Sequence, residues 1–190
     1  MKPLELIEQG RFLGEEFVLW LWWRGLAEGG VSGLDGDHSA CFLDDSVVLA
    51  SERGDVKELS LRKGNPAESR EAFEALSRGM RPFKAKVRLL SGDMEWVFTL
   101  DAATLGMGAL KLPPSSAKDP QGRMLDRLFL LEEGAGHLER RLKRFLEDRS
   151  GDPEAMQEAM RGWIRLGLTG EIGLPPVGQE PAGDEVPWRE

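Results

Sequence analysis

An α+β fold is what this sequence predicts, and three observations predict it. The first stretch is apolar on every side of a helix, the middle alternates polar and apolar residues with the period of a strand, and the last third repeats apolar residues at spacings of four and three. Together they predict an apolar N-terminal helix, an antiparallel sheet of about five to six strands with one inserted helix, and a C-terminal helical pair. A chain of 190 residues fits one such domain, with or without a tail, and 41% hydrophobic content supplies its core. We expect a single domain over residues 1–168. Over 169–190, Pro175, Pro176, Pro181 and Pro187 mix with glycines and acids, and a disordered tail is expected.

The first helix is predicted from near Pro3 to about Leu26. Its centre, Phe12 to Arg24, reads FLGEEFVLWLWWR, and Phe17 to Trp23 are seven consecutive apolar residues holding three of the six tryptophans. A helix apolar all round has to be covered all round, by the rest of its domain or by a partner. The run is far shorter than the roughly 20 residues a bilayer requires, so no membrane partner is expected. Gly10 and Gly14 weaken the helix and allow a break into two segments. The adjacent Glu15 and Glu16 diverge on a helix, and a solvated edge is expected for them.

After a glycine-rich loop from Glu28 to Gly36, two short apolar runs, Ala40 to Leu43 and Ser46 to Ala50, flank Asp44-Asp45. They read as a β-hairpin with a two-residue turn. Val56 to Arg62 is a third strand, with Lys57, Leu59 and Leu61 on one face. Asn65 then serves as N-cap, Pro66 as first helical residue and Glu68 as reciprocal cap of a helix reaching about Arg78, with Gly79 beyond its end. Pro82 to Leu90 alternates cleanly: Phe83, Ala85, Val87 and Leu89 on one face, Lys84, Lys86 and Arg88 on the other. Ser91-Gly92-Asp93 turns the chain into Met94 to Leu100, and Gly106 to Leu112 is one more strand. In the last third, Met124, Leu128, Leu131, Ala135, Leu138, Leu142 and Phe145 form an a/d stripe over about three heptads. Gly134 and Gly136 suggest a kink or a close crossing there. Asp152-Pro153 opens a final helix carrying Met156, Met160, Trp163, Ile164 and Gly167 on one face.

Motifs that carry chemistry are missing. There is no nucleophile elbow, no phosphate-cradling loop and no dinucleotide fingerprint. His38 and Cys41 are too few nitrogen and sulfur ligands for zinc, and the acids Asp35, Asp37, Asp44 and Asp45 lack the calcium-loop spacing. Neither enzymatic activity nor a cofactor or metal is expected. The lone Cys41 rules out an internal disulfide and suits a reducing compartment. The opening MKPLELIEQG has no signal-peptide pattern, so a cytoplasmic location is expected.

Charge is uneven along the chain. The net charge of -8 argues against a wholesale polyanion binder but leaves room for one basic face. Arg78, Arg81, Lys84, Lys86 and Arg88 fall within eleven residues that hold no carboxylate. On a strand, Lys84, Lys86 and Arg88 stand in one row about 7 Å apart. These five are the candidate nucleic-acid-binding residues. A second cluster, Arg140, Arg141, Lys143 and Arg144, is diluted by Glu139, Glu147 and Asp148.

Four segments in order, FLGEEFVLWLWWR, FLDDSVVLA, ESREAFEALSRGMRPFKAKVRLLSGDMEWVFTL and RMLDRLFLLEEGAGHLERRLKRFL, resemble the C-terminal half of the longer members of the recombination-associated protein RdgC family. The resemblance covers about Arg11 to Phe145 and lies in element order and apolar pattern. It implies a non-enzymatic, nucleoid-associated accessory of DNA recombination or replication that binds double-stranded DNA without sequence specificity. It assigns no role to a particular residue. The alternative is a protein-interaction or regulatory domain that keeps the fold without binding DNA, with the tryptophan helix or the heptad stripe as its contact. Because those two apolar features exceed what one small domain easily covers, a homodimer is expected.

Overall fold

The structure, a computed structural model, describes residues 3–27, 39–51 and 58–170, with side chains of the first helix from Phe12 to Leu26. The chain runs α1 (Pro3–Ala27), β1 (Ser39–Ala50), β2 (Glu58–Arg62), a 3-10 turn (Pro66–Glu68), α2 (Arg70–Ser77), β3 (Arg81–Ser91), β4 (Met94–Asp101), β5 (Met107–Lys111), α3 (Pro120–Gly151) and α4 (Pro153–Thr169). The five strands form one antiparallel sheet in the order β2-β1-β3-β4-β5, with α2 inserted before β3. The α+β class and the helical pair after the sheet are as the sequence predicts. No helix among the described residues is long and apolar enough to cross a membrane. The expected tail, apart from Thr169 and Gly170, lies outside the described residues, as do Val56 and Lys57 of the third predicted strand.

The core forms where alternation brings the apolar face of the sheet under the helices. Cys41, Leu43, Val47 and Leu49 of β1, Ala85, Val87 and Leu89 of β3, and Trp96, Phe98 and Leu100 of β4 are all buried. Above them lies α1, whose Phe17, Val18, Trp20, Leu21 and Trp22 are buried in turn. Its outer side meets the other helices: Phe17 and Trp20 stand 5.5 and 5.9 Å from the Phe145 ring of α3, and Trp22 stands 5.6 Å from Trp163 of α4 and 6.0 Å from Phe73 of α2. An all-apolar helix is thus covered by its own domain. Burying each of its large side chains contributes about 1.5–3 kcal/mol.

Several details correct the sequence reading. The helix does not break at Gly14, which is there because α1 passes so close to the Ala102 carbonyl that any Cβ would collide with it. Glu15 and Glu16 are not a solvated edge but buried, with Glu16 Oε2 accepting from Arg149 Nε at 2.9 Å. The segment expected as a hairpin is one twelve-residue strand with a register shift between Leu43 and Val47. Neither Asp44 nor Asp45 takes the positive φ of a tight hairpin turn, so the extra length is absorbed as a bulge. A second shift between Val48 and Leu49 places Pro82 rather than Phe83 on the buried side, leaving Phe83 half-buried. Asn65 caps only the 3-10 turn, through its Oδ1 and the Ala67 N–H at 3.0 Å, and Ser69 caps α2 afresh.

Candidate interaction surface

The five predicted nucleic-acid-binding residues do not form one surface. Arg78 ends α2, exposed. Arg81 turns to the helix side, with its guanidinium 4.3 Å from the centre of the Phe12 ring. There it borders an apolar cleft of about 260 Å³ between α1, α2 and α4, lined by Leu19, Leu76, Met160 and Ile164 among others. Only Lys84, Lys86 and Arg88 share the open face of the sheet, as alternation predicts.

On that face, each cation has a carboxylate partner from a neighbouring strand. Lys84 Nζ lies 3.4 Å from Asp101, and Lys86 Nζ lies 2.9 Å from Asp44 and 3.0 Å from Asp45. Arg88 bridges Asp44 at 3.0 Å and Glu95 at 2.6 Å. Three cations therefore face four carboxylates. Hydrogen bonds donated to Asp44 and Asp45 hold the Lys86 ammonium above its ordinary pKa. Burial works to raise the Asp44 carboxyl, but hydrogen bonds and charge from Lys86 and Arg88 outweigh it and hold the group below its usual range. The basic row is a cross-strand ion-pair lattice, and β1 carries its acids because the strand continues through Asp44-Asp45 rather than turning.

Half of the second basic cluster is absorbed as well, while Lys143 is exposed. Arg141 is buried and donates to the Ser39 carbonyl at 2.6 Å, while Arg144 pairs with Asp148 at 3.2 Å. Cys41 is buried beside Arg141, and burial pushes its thiol up to about 11 even though the guanidinium pulls the other way, so it is not a reactive thiol. Among the described residues no group of three or more His, Cys, Asp or Glu side chains could hold a metal; His38 lies outside them.

Among the described residues, the largest group of exposed apolar side chains is on α3. Its heptad stripe divides in two. Leu138 and Phe145 are buried in the core, whereas Met124, Leu125, Leu128, Phe129 and Leu131 are exposed, from 39% for Leu131 to 67% for Met124 and Phe129. At 100° per residue these five fall within about 160° of arc over roughly 10 Å of helix. They present on the order of 500 Å² of apolar surface, at the upper end of what single monomers expose. The same half-helix is anchored on its inner side. Asp119 caps it through the Gly122 N–H at 2.8 Å, and the Trp96 indole donates to the Leu130 carbonyl at 2.7 Å. Asp126 accepts from Ser115 Oγ at 2.8 Å and from the Ala117 N–H at 3.1 Å, and these bonds hold its carboxyl below its ordinary pKa. The half-helix is thus fixed in place with its apolar side outward. The signal was in the sequence: Leu125 and Phe129 lie outside the a/d stripe, and a helix that buries only that stripe has no use for them.

No family model matches this chain, and no curated protein matches it.

Proposed function

We propose that this chain is a protein-interaction domain, with the outward half of α3 as its contact helix. The observation that carries this reading is the set of five large apolar side chains from Met124 to Leu131, held exposed on a helix anchored from behind. Apolar groups on a preformed helix lose little conformational freedom on binding, which is what a helix-in-groove or helix-pairing contact exploits. Duplex-DNA binding by counterion release requires cations free to meet phosphates. Lys84, Lys86 and Arg88 would first have to leave Asp44, Asp45, Glu95 and Asp101, so the charge pattern favours the interaction reading over the recombination-accessory one.

The test places a photo-cross-linking residue at Phe129, and separately at the exposed Glu154 of α4, in cells expressing the chain. Protein adducts at Phe129 and not at Glu154 are expected. In parallel, purified protein titrated with duplex DNA at about 50 mM salt should show no binding, since phosphate contacts are strongest there. Sequence-independent DNA binding abolished by Lys84→Glu, Lys86→Glu and Arg88→Glu together, with no adduct at Phe129, would replace this reading with the DNA one.

A further inference from the structure

Resting on the interaction-domain reading, the charges beside the stripe point to what docks there. In the heptad set by the stripe, Met124 and Leu131 are d positions and Leu128 and Ala135 are a positions, all exposed. Arg127 then occupies g and Glu132 occupies e, one on each flank of the seam and both exposed. In a parallel helix pair, a g residue meets the e residue five positions further along the partner. Two copies of this helix side by side in parallel bring Arg127 of each to Glu132 of the other, twice per pair. Antiparallel pairing instead sets g against g and e against e, so arginine meets arginine and glutamate meets glutamate.

The seam cannot extend toward the C-terminus, because Leu138 and Phe145 are already in the core. The packed side of α3 is centred about 100° round the helix from the seam, which leaves the stripe facing outward. Phe129, a b position, stays outside the seam; Met124, Leu125, Leu128, Leu131 and Ala135 supply on the order of 400 Å² from each copy, so the pair buries about 800 Å², below the roughly 1,000 Å² of a standard specific interface. We propose that the outward half of α3 pairs in parallel with the same segment of a second copy of this chain, with Arg127 facing Glu132 across each flank. An interface of this size makes a weak, concentration-dependent dimer.

Sedimentation equilibrium on the full chain tests it. The wild type should pass from the chain mass of 21.1 kDa toward twice that mass as concentration rises. Arg127→Glu, which turns two attractions into repulsions, should weaken association about tenfold. Arg127→Glu combined with Glu132→Arg should restore it. Met124→Cys should form a disulfide with its own copy on mild oxidation, Cys41 being buried and silent. A chain that stays at 21.1 kDa at every concentration, a double swap that restores nothing, or a Met124→Cys that links only to Leu131→Cys would each overturn the proposal. If the Phe129 cross-linker captures a different protein while the chain stays monomeric, the second-copy proposal falls and the interaction reading stands. If a cross-linking residue placed at the seam position Leu128 also captures nothing, both fall.

Discussion

The two halves of α3 are alike in sequence and opposite in fate. Both repeat apolar residues at spacings of four and three. From Leu138 onward those residues enter the core: Phe145 packs on Phe17 and Trp20, and polar neighbours bind the same half to α1, with Asp148 accepting from Trp20 Nε1 at 3.2 Å and from Arg24 at 2.9 Å. From Met124 to Leu131 the apolar residues face out, and only the inner side of the helix is tied down. Neighbours explain the division. From Gly134 onward the 32-residue helix meets Trp96, Ser39, Phe17 and Trp20, whereas the apolar side chains from Met124 to Leu131 are exposed. Periodicity says that a face exists. The neighbours beside it say what that face meets.

Substitution should separate the halves. Phe145→Ala, which empties a fully buried site, is expected to cost about 3–5 kcal/mol in urea unfolding, whereas Phe129→Ala should lie within about 0.5 kcal/mol of wild type. The junction is next. A Cβ on Gly134 would come within 2.8 Å of the Trp96 ring, so Gly134→Ala should destabilise by about 1–3 kcal/mol. Two residues on, a Cβ at Gly136 meets only the Arg140 guanidinium at 3.5 Å, and Gly136→Ala should stabilise by about 0.5–1 kcal/mol. A small effect is also expected on the sheet face. Because Asp44 has a depressed pKa, its share of the ion-pair lattice is present above the ordinary value of 3.8 and is lost as pH falls through the lower, folded value. Lys86→Met should remove less than about 1 kcal/mol of stability at neutral pH, and should shrink the loss of stability seen below pH 3.8 in acid titration followed by circular dichroism.

Most of the fold was legible because its signals are local. Alternation in β3 and β4, the Asp152-Pro153 start of α4 and the breadth of apolar surface on α1 each depend on a few adjacent residues. What was not legible depends on residues far apart in the chain. Asp44-Asp45 looks like a turn until Lys86 and Arg88 are seen beside it, because cross-strand pairing requires the register. Gly14 and Gly134 look like weak points in helices until Ala102 and Trp96 are placed against them. Glu16 looks solvent-facing until Arg149, from the far end of α3, arrives. The candidate site divides in the same way. The three-cation row is legible from alternation alone, whereas its neutralisation depends on strand register. The apolar stripe of α3 is legible from its spacing, whereas the point at which it leaves the core depends on distant residues.

The most direct test compares one pair of substitutions in each half. Leu128→Asp with Phe129→Asp should abolish both self-association in light scattering and cross-linking from Met124, while the thermal midpoint of the dilute protein stays within about 2 °C of wild type, as expected for surface positions. Leu138→Ala with Phe145→Ala should lower that midpoint by well over 10 °C, at about 4–8 °C per kcal/mol for a small domain and half that for a larger one. A midpoint that falls as far for the outward pair as for the inward pair would contradict the account, because the outward half of α3 would then be part of the core rather than a surface kept for a partner.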